Sequence, residues 1–249
     1  MNNEERHRQL EAVIKDIVPT LGDSPGYEDL PHTLRPTLHE HLDWLEEFGP
    51  EFPKRWLRLV KNELEAAATE AAVREILGGM EQIEALRPGA DPPDFECAVN
   101  SQPLAVECTS LLMSTATKRT RLEAAPAGFV RYRPINRAIA NKIQGKAHIK
   151  TLAPLLLVVG TFHFTAAGAP LSERHLCDLI AGPDSAFHHR DEDGATWPAR
   201  QTISAVLVLG LSAIKTSGDC VGIGVLNPHA HRSFDPQWVP QYQFLQVSE

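Results

Sequence analysis

The chain has 249 residues, of which 43% are hydrophobic and 22% are charged, a composition typical of globular proteins that excludes collagen-like, coiled-coil and disordered classes. The formal net charge of −8 argues, for the chain as a whole, against a nucleic-acid partner. The apolar run from Ala153 to Phe164 is too short to span a membrane, the first residues are polar, and the four cysteines have no metal-finger spacing. We therefore expect a cytoplasmic protein with no membrane partner.

The first part of the chain has the apolar periodicity of helices. Helices are predicted at residues 4–18, 39–48 and 52–80. A Pro- and Gly-rich stretch at 19–36 predicts a break between the first two, and Gly78 with Gly79 predicts the end of the third. We interpret residues 1–50 as an N-terminal helical extension and residues 51–249 as the main domain.

From residue 82 onward the apolar pattern changes to the period of two that is typical of strands. Polar residues 182–200 predict a loop, and the chain beyond 226 predicts an irregular tail. The remaining predicted elements, in chain order, are strands at 82–86, 94–99 and 103–109, a helix at 135–149, a strand at 155–161, a helix at 171–180, and strands at 203–209 and 221–226. This order predicts an α/β fold with a mixed central sheet.

Basic residues are concentrated between residues 108 and 172, where nine lysines and arginines stand beside a single glutamate. That region carries a charge of +8, so the rest of the chain carries −16. The separation predicts a positive face on an acidic body, although a solvated loop and helix surface would give the same pattern. The candidates for contact with a nucleic-acid backbone are Arg119, Arg121, Arg131, Arg133 and Arg137.

The segment 93–109 predicts a β-hairpin whose register follows from its turn. If Asn100 and Ser101 form a two-residue turn, residue 94 lies opposite residue 107. One face then holds Phe95, Cys97, Val99, Leu104, Val106 and Cys108. The other face holds Asp94, Glu96, Ala98, Ala105, Glu107 and Thr109. The clean alternation on both strands supports this register.

Asp94 and Glu107 are predicted to form a close pair across the hairpin. Directly opposed residues have Cβ atoms about 4.5–5.5 Å apart, and like charges at that distance repel each other. A divalent cation would offset the repulsion, and two carboxylates with a backbone carbonyl and waters suit Mg²⁺. An exposed acidic pair on a solvated face, or two carboxyl groups that share one proton, is the alternative interpretation.

Pro93-Asp94, followed after twelve residues by Glu107-Cys108-Thr109, resembles the motif of the PD-(D/E)XK nuclease superfamily, which has the restriction-endonuclease-like fold. The core of that fold is a helix, a three-stranded antiparallel meander, a helix and a further strand, and the predicted elements over residues 52–164 follow this order. The resemblance implies that Asp94 and Glu107, with the carbonyl of Cys108, hold Mg²⁺ or Mn²⁺.

In this family a lysine two residues after the glutamate orients or activates the attacking water, and this chain has Thr109 there. The resemblance therefore implies an amine from the following helix, where Lys142 is the first candidate and Lys146 the second. The two lysines are four residues apart and lie on the same side of a helix. The family also implies a further acidic residue on the long preceding helix, for which Glu70 is the candidate because apolar residues flank it. The alternatives are Glu63 and Glu75.

Two functions remain open from the sequence. The first is a metal-dependent nuclease that hydrolyses phosphodiester bonds, with DNA as the expected substrate, in a restriction or phage-defence setting. The second is a catalytically inactive nuclease-like fold that binds nucleic acid or a protein, which Thr109 and the acidic remainder favour. The sequence leaves open whether the chain forms a homodimer or is a subunit of a larger complex.

Overall fold

The computed structural model describes residues 3–17, 30–89, 92–111, 132–146, 148–161, 187–190, 196–198, 201–211 and 222–246. The helix predicted at 171–180 lies outside these residues, as do Arg119, Arg121 and Arg131. Arg133 and Arg137 lie in a described helix, but their side chains are outside the described part.

The described part of the chain contains five α-helices. They are α1 (Asn3–Ile17), α2 (Leu30–Glu46), α3 (Glu51–Asn62), α4 (Leu64–Gly78) and α5 (Tyr132–Gly145). Within the described residues, no helix combines the length and the apolar character that crossing a bilayer requires.

Helix α2 begins earlier than the sequence pattern predicts. The predicted break at residues 19–36 extends too far along the chain, because the helix already starts at Leu30 and continues through Pro36. A proline inside a helix removes one backbone hydrogen bond. Four leucines at helical spacing offset that loss by burial in the core. They are Leu34, Leu38, Leu42 and Leu45, each at most 3% exposed.

The single helix predicted at residues 52–80 is in fact two helices. Glu63 separates α3 from α4 with φ −147° and ψ 72°, which are not helical angles. The break lets both helices bury their apolar sides, with Trp56 and Val60 on α3 and Ala67 and Ala71 on α4. No glycine or proline marks the position, so periodicity alone does not reveal it.

A seven-stranded mixed sheet lies at the centre of the fold, in the order β1-β2-β3-β4-β7-β8-β9. Strands β1, β2 and β3 form an antiparallel meander, and β3, β4 and β7 are parallel. The predicted α/β class and the mixed sheet are confirmed. The strands of this sheet are β1 (Ile83–Pro88), β2 (Phe95–Val99), β3 (Gln102–Ser110), β4 (Leu155–Thr161), β7 (Ala205–Gly210), β8 (Gly222–Leu226) and β9 (Gln243–Leu245).

Helices cover both faces of this sheet. Successive side chains of β4 point to opposite faces of the sheet and belong to two separate apolar clusters. Leu156 packs with residues of α1–α4, and Leu157 packs with Ile139 and Ile143 of α5. Such division explains why β4 is an uninterrupted apolar run, because both of its faces are buried. The described part of the chain therefore has a helix–sheet–helix arrangement.

Close packing of α4 on β4 places the N-terminal half of α4 against the sheet. A Cβ at Gly160 of β4 would lie 2.1 Å from Oγ1 of Thr69, so this position requires glycine. The hydroxyl of Thr69 donates to the carbonyl of Glu65 and has no free donor directed at the sheet. This contact fixes the position of the next residue, Glu70.

Three short strands were not predicted. The expected loop at 182–200 contains β5 (His188–Arg190) and β6 (Thr196–Pro198), which pair with each other, and the expected irregular tail contains β9. Each is three residues long, too short for an alternating pattern to be visible. The helix predicted to reach residue 149 ends at Gly145.

Candidate active site

The β2–β3 hairpin has the register that its sequence predicts. Phe95 lies opposite Val106 and Cys97 opposite Leu104. Asn100 and Ser101 have φ of 49° and 65°, the left-handed values of a two-residue hairpin turn. The alternation therefore directs residues 94 and 107 to the same face of the hairpin, opposite to the face that carries Phe95 and Cys97.

Glu107 lies near the middle of β3 with a side chain only 2% exposed. Its Oε1 accepts a hydrogen bond from Nζ of Lys146. Within the described part of the chain, its Oε2 is buried and has no hydrogen-bond partner. Leaving a buried carboxylate oxygen unpartnered is costly, so this oxygen is the atom of the site most in need of a ligand.

Asp94 directly precedes β2 and is half-buried. Its Oδ2 accepts a hydrogen bond of 2.8 Å from the backbone N–H of Cys108, and its carbonyl accepts one of 2.8 Å from the N–H of Gly89. Burial and the nearby charge of Glu107 raise the pKa of Asp94 to about 7, against the opposing effects of the Cys108 N–H, Lys146 and Arg55. The carboxyl group is therefore held close to a second negative charge.

The backbone of Cys108 faces Asp94. Residues 105 and 111 of this segment donate their N–H groups toward the β4 side, whereas the N–H of Cys108 points to the β2 side, where it meets Asp94. The carbonyl of a strand residue points to the same side as its N–H. The Cys108 carbonyl thus lies on the β2 side of β3, next to Asp94, where the predicted third ligand of the cation is required.

Glu70 joins the same electrostatic cluster from α4. Burial raises the pKa of its carboxyl group well above the ordinary value, and the charges of Asp94 and Glu107 raise it further, while Arg55 and Lys146 lower it. The two alternatives behave differently: Glu63 is exposed at the α3–α4 break, and Glu75 accepts a 3.0 Å hydrogen bond from Thr37.

Lys146, the second candidate, supplies the ammonium group that contacts Glu107. It follows the last residue of α5, so its side chain is not constrained by helical periodicity. Burial lowers the pKa of Lys146, but its hydrogen bond to Glu107 and the charges of Glu107 and Asp94 outweigh that effect and raise it. Within the described residues, Lys142 forms no hydrogen bond or ion pair with either carboxyl group. Thr109 is 6% exposed and carries no positive charge.

Arg55 is a member of the cluster that sequence reasoning missed. Its Nη2 donates a 3.0 Å hydrogen bond to the carbonyl of Gly89, whose N–H in turn holds the backbone of Asp94. The positive charge of Arg55 lowers the pKa of both Asp94 and Glu70. On the amphipathic helix α3 it is one of several basic residues, and no sequence signal separates it from the others.

The residues of this cluster suit a hard divalent cation, although they do not form a closed cage of side chains. In the described part of the chain, no group of three or more His, Cys, Asp and Glu side chains has the arrangement of a complete metal site. The unpartnered Oε2 of Glu107, the carboxyl group of Asp94 and the Cys108 carbonyl are oxygen donors, the type that Mg²⁺ prefers, and Mg²⁺ keeps several waters when it binds.

In the candidate site, Lys146 contacts Glu107 and Asp94 accepts from the backbone of Cys108, while the charge of Arg55 and the carboxyl group of Glu70 take part in the electrostatics of the cluster. Comparisons of the chain with protein-family models, with curated proteins and with solved structures found no match. Function therefore has to be inferred from the residues and their geometry.

Proposed function

We propose that the chain is a Mg²⁺- or Mn²⁺-dependent nuclease of the PD-(D/E)XK type that hydrolyses phosphodiester bonds, with DNA as its substrate. One observation carries the proposal: the buried carboxylate of Glu107 is held by Lys146 on one oxygen and has no partner on the other. Asp94 directly precedes the neighbouring strand, β2. Two acids and one amine in this arrangement have the composition that such hydrolysis needs.

The order of elements supports the proposal. Helix α4, the meander β1–β3, helix α5 and strand β4 follow one another along the chain in the order of the restriction-endonuclease-like core. Of the motif residues, Asp94 directly precedes β2 and Glu107 lies in the inner part of β3. Lys146, directly after α5, supplies the amine that the motif position occupied by Thr109 lacks.

Each residue has a role in the proposed reaction. Asp94 and Glu107 would hold the cation, with the carbonyl of Cys108 as a third ligand. A cation bound there would supply Lewis acidity, which lowers the pKa of a water molecule and neutralises charge that develops on the phosphate. Lys146 keeps Glu107 oriented through its hydrogen bond and presents positive charge where the water and phosphate meet. Glu70 adds a third carboxyl group on the α4 side of the site.

Cleavage of plasmid DNA tests the proposal. Wild-type protein should nick or linearise plasmid with Mg²⁺ or Mn²⁺ and not with EDTA, and Asp94→Ala and Glu107→Ala should each lose at least about a thousandfold in rate. Glu96→Gln is the matched control, because Glu96 lies on the same hairpin face but is exposed and paired with Arg87. Failure of the wild type to cut plasmid, single-stranded DNA or RNA in either metal would contradict the proposal.

Thr109 favours a second function, a nuclease-like fold that binds nucleic acid or a protein without cutting. A threonine cannot supply the positive charge that the motif position normally carries. In that case oligonucleotide binding measured by fluorescence anisotropy should be unaffected by Asp94→Ala and by EDTA, and no product should form. Dependence of binding on both would support the nuclease instead.

A further inference from the structure

Helix α3 differs in charge from the three helices that pack with it. It carries four lysines and arginines and one glutamate, whereas α1, α2 and α4 each carry more aspartates and glutamates than lysines and arginines. The apolar side of α3 is buried through Trp56, Leu57 and Val60. Its basic side therefore gives this part of an acidic protein a positive surface.

Three of the basic residues of α3 line one groove between α1 and α3. They are Lys54, Arg58 and Lys61, and we call them the α3 ridge. All three are exposed, and their spacing of four and three residues places them along one side of the helix. The groove has a volume of about 540 Å³, and its other lining residues are Gln9, Val13 and Leu57.

The charges of the α3 ridge are not compensated by other described residues. None of its three side chains forms an ion pair or a side-chain hydrogen bond with them. In contrast, Arg6, Arg35 and Arg74 of the neighbouring helices are each paired with a glutamate. Like charges three and four residues apart destabilise a helix. The ridge therefore opposes the stability of α3, as the acidic pair opposes that of the hairpin, and a bound polyanion would offset the repulsion.

The spacing of the ridge fits a row of phosphates. Lys54 and Lys61 are separated by about 10 Å along the helix axis, and one strand of duplex DNA carries a negative charge about every 3.4 Å along its own axis. Three long, flexible cations over that length can contact different phosphates of the same strand. Contacts of this kind position a duplex without reading its sequence.

Helix α3 is also connected to the candidate active site. Arg55 directly follows Lys54, and its Nη2 donates a 3.0 Å hydrogen bond to the carbonyl of Gly89. The N–H of Gly89 in turn donates to the carbonyl of Asp94. From this connection and the uncompensated charge, we propose that the α3 ridge binds the phosphate backbone of duplex DNA. The inference rests on the proposed function only for the choice of DNA among polyanions, since binding can be measured without cleavage.

Fluorescence anisotropy with a labelled duplex of about 16 base pairs, in EDTA, tests the ridge without using the candidate cation site. Replacement of all three ridge residues by glutamine removes their charge and keeps long side chains. This variant should bind at least about tenfold more weakly than wild type, and the slope of log K against log salt should fall by about 2–3. Arg58→Gln alone should lower the slope by about one.

Two controls accompany these variants. The combination of Lys54→Arg, Arg58→Lys and Lys61→Arg conserves the charge and should bind as wild type does. Lys15→Gln should leave the affinity and the slope unchanged, because Lys15 is exposed on α1 but lies on a different side of that helix from Val13. A polyglutamate of equal total charge should bind wild type at least about fivefold more weakly than the duplex, whose two strands carry a charge about every 1.7 Å against about 3.3 Å for a peptide.

The outcomes separate the ridge assignment from the nuclease proposal. Absence of duplex binding by the wild type, or an unchanged salt slope in the glutamine variant, would overturn the ridge assignment. Equal or tighter binding of polyglutamate would overturn it in favour of an acidic peptide. If the wild type cuts plasmid and the glutamine variant binds and cuts it equally well, the ridge assignment is wrong and the nuclease proposal stands. If duplex binding depends on the ridge but the wild type cuts nothing in Mg²⁺ or Mn²⁺, the ridge assignment stands and the nuclease proposal is wrong.

Discussion

The two faces of the β2–β3 hairpin have opposite chemistry, although they are formed by alternating residues of the same strands. One face contributes six side chains, each at most 8% exposed, to the core beneath α1–α4. The other presents Asp94 and Glu107 beside two alanines. The first face stabilises the fold by burial of apolar surface, whereas the second places like charges together at a cost in stability.

The difference between the two faces locates the candidate active site on the face where like charges reduce the stability of the fold. Burial raises the pKa of both Glu70 and Asp94, and the charge of Glu107 raises both further. Lys146 and Arg55 lower both pKa values, and the backbone N–H of Cys108 also lowers that of Asp94. Perturbed carboxyl groups of this kind concentrate at functional sites. Substitutions on the two faces should therefore separate stability from activity.

The largest effect is expected on the apolar face. Phe95→Ala should lower the free energy of unfolding by about 3–5 kcal/mol, because Phe95 is 1% exposed and the substitution leaves a cavity. Glu96→Ala, the next residue on the opposite face, should change it by less than about 1 kcal/mol. Urea denaturation measures both. Similar losses for the two variants would remove the contrast between the faces.

Lys146 should be required for cleavage and Lys142 should not. Lys146→Ala should reduce the rate at saturating Mg²⁺ about a hundredfold or more, near 3 kcal/mol in the barrier, because Glu107 loses its only partner within the described residues. Lys142→Ala, one helical turn earlier, is the matched control and should stay within about threefold. The opposite result would assign the amine to Lys142.

Asp94→Asn should stabilise the cation-free protein while it abolishes cleavage. The folded pKa of Asp94, about 7, lies above the ordinary value of 3.8 for an aspartate. Loss of the Asp94 proton therefore lowers the free energy of unfolding, and this destabilisation grows as the pH rises from about 4 to about 7. The variant should gain on the order of 1–2 kcal/mol at pH 8 in EDTA, and the gain should vanish near pH 4. A loss of stability at pH 8 would show that Asp94 serves the fold rather than the site.

The rate of cleavage at limiting Mg²⁺ should rise with pH. Below about pH 7 Asp94 retains its proton and cannot hold the cation, so the rate should increase about tenfold per pH unit and level off above that value. Saturating Mg²⁺ should move the midpoint to lower pH, since the cation competes with the proton. A rate that is flat between pH 5.5 and 8 would argue against Asp94 as a ligand.

Sequence reasoning reached the hairpin because its alternation is strict and the two-residue turn fixes the register, which the structure confirms from the Phe95–Val106 pair to the Val99–Gln102 pair. It did not choose between the two lysines. Helical spacing treats Lys142 and Lys146 alike, but α5 ends at Gly145 and frees Lys146 to turn toward Glu107. Arg55 was missed because its role depends on a contact with Gly89, thirty-four residues away.

The same limit explains the misplaced helix boundaries. A helix from Leu30 that includes Pro36 is stable only because of the tertiary burial of its leucines, which no local pattern contains. The break at Glu63 likewise depends on tertiary packing, in which α3 contacts the other helices and α4 contacts the sheet.

Calorimetric titration with Mn²⁺ at pH 8 tests the central claim most directly, because it needs neither substrate nor turnover. Wild-type protein should bind Mn²⁺ with measurable heat, and Asp94→Asn and Glu107→Gln should each abolish binding while Glu96→Gln retains it. Absence of binding by the wild type, or undiminished binding by Asp94→Asn, would contradict a cation site between the two strands.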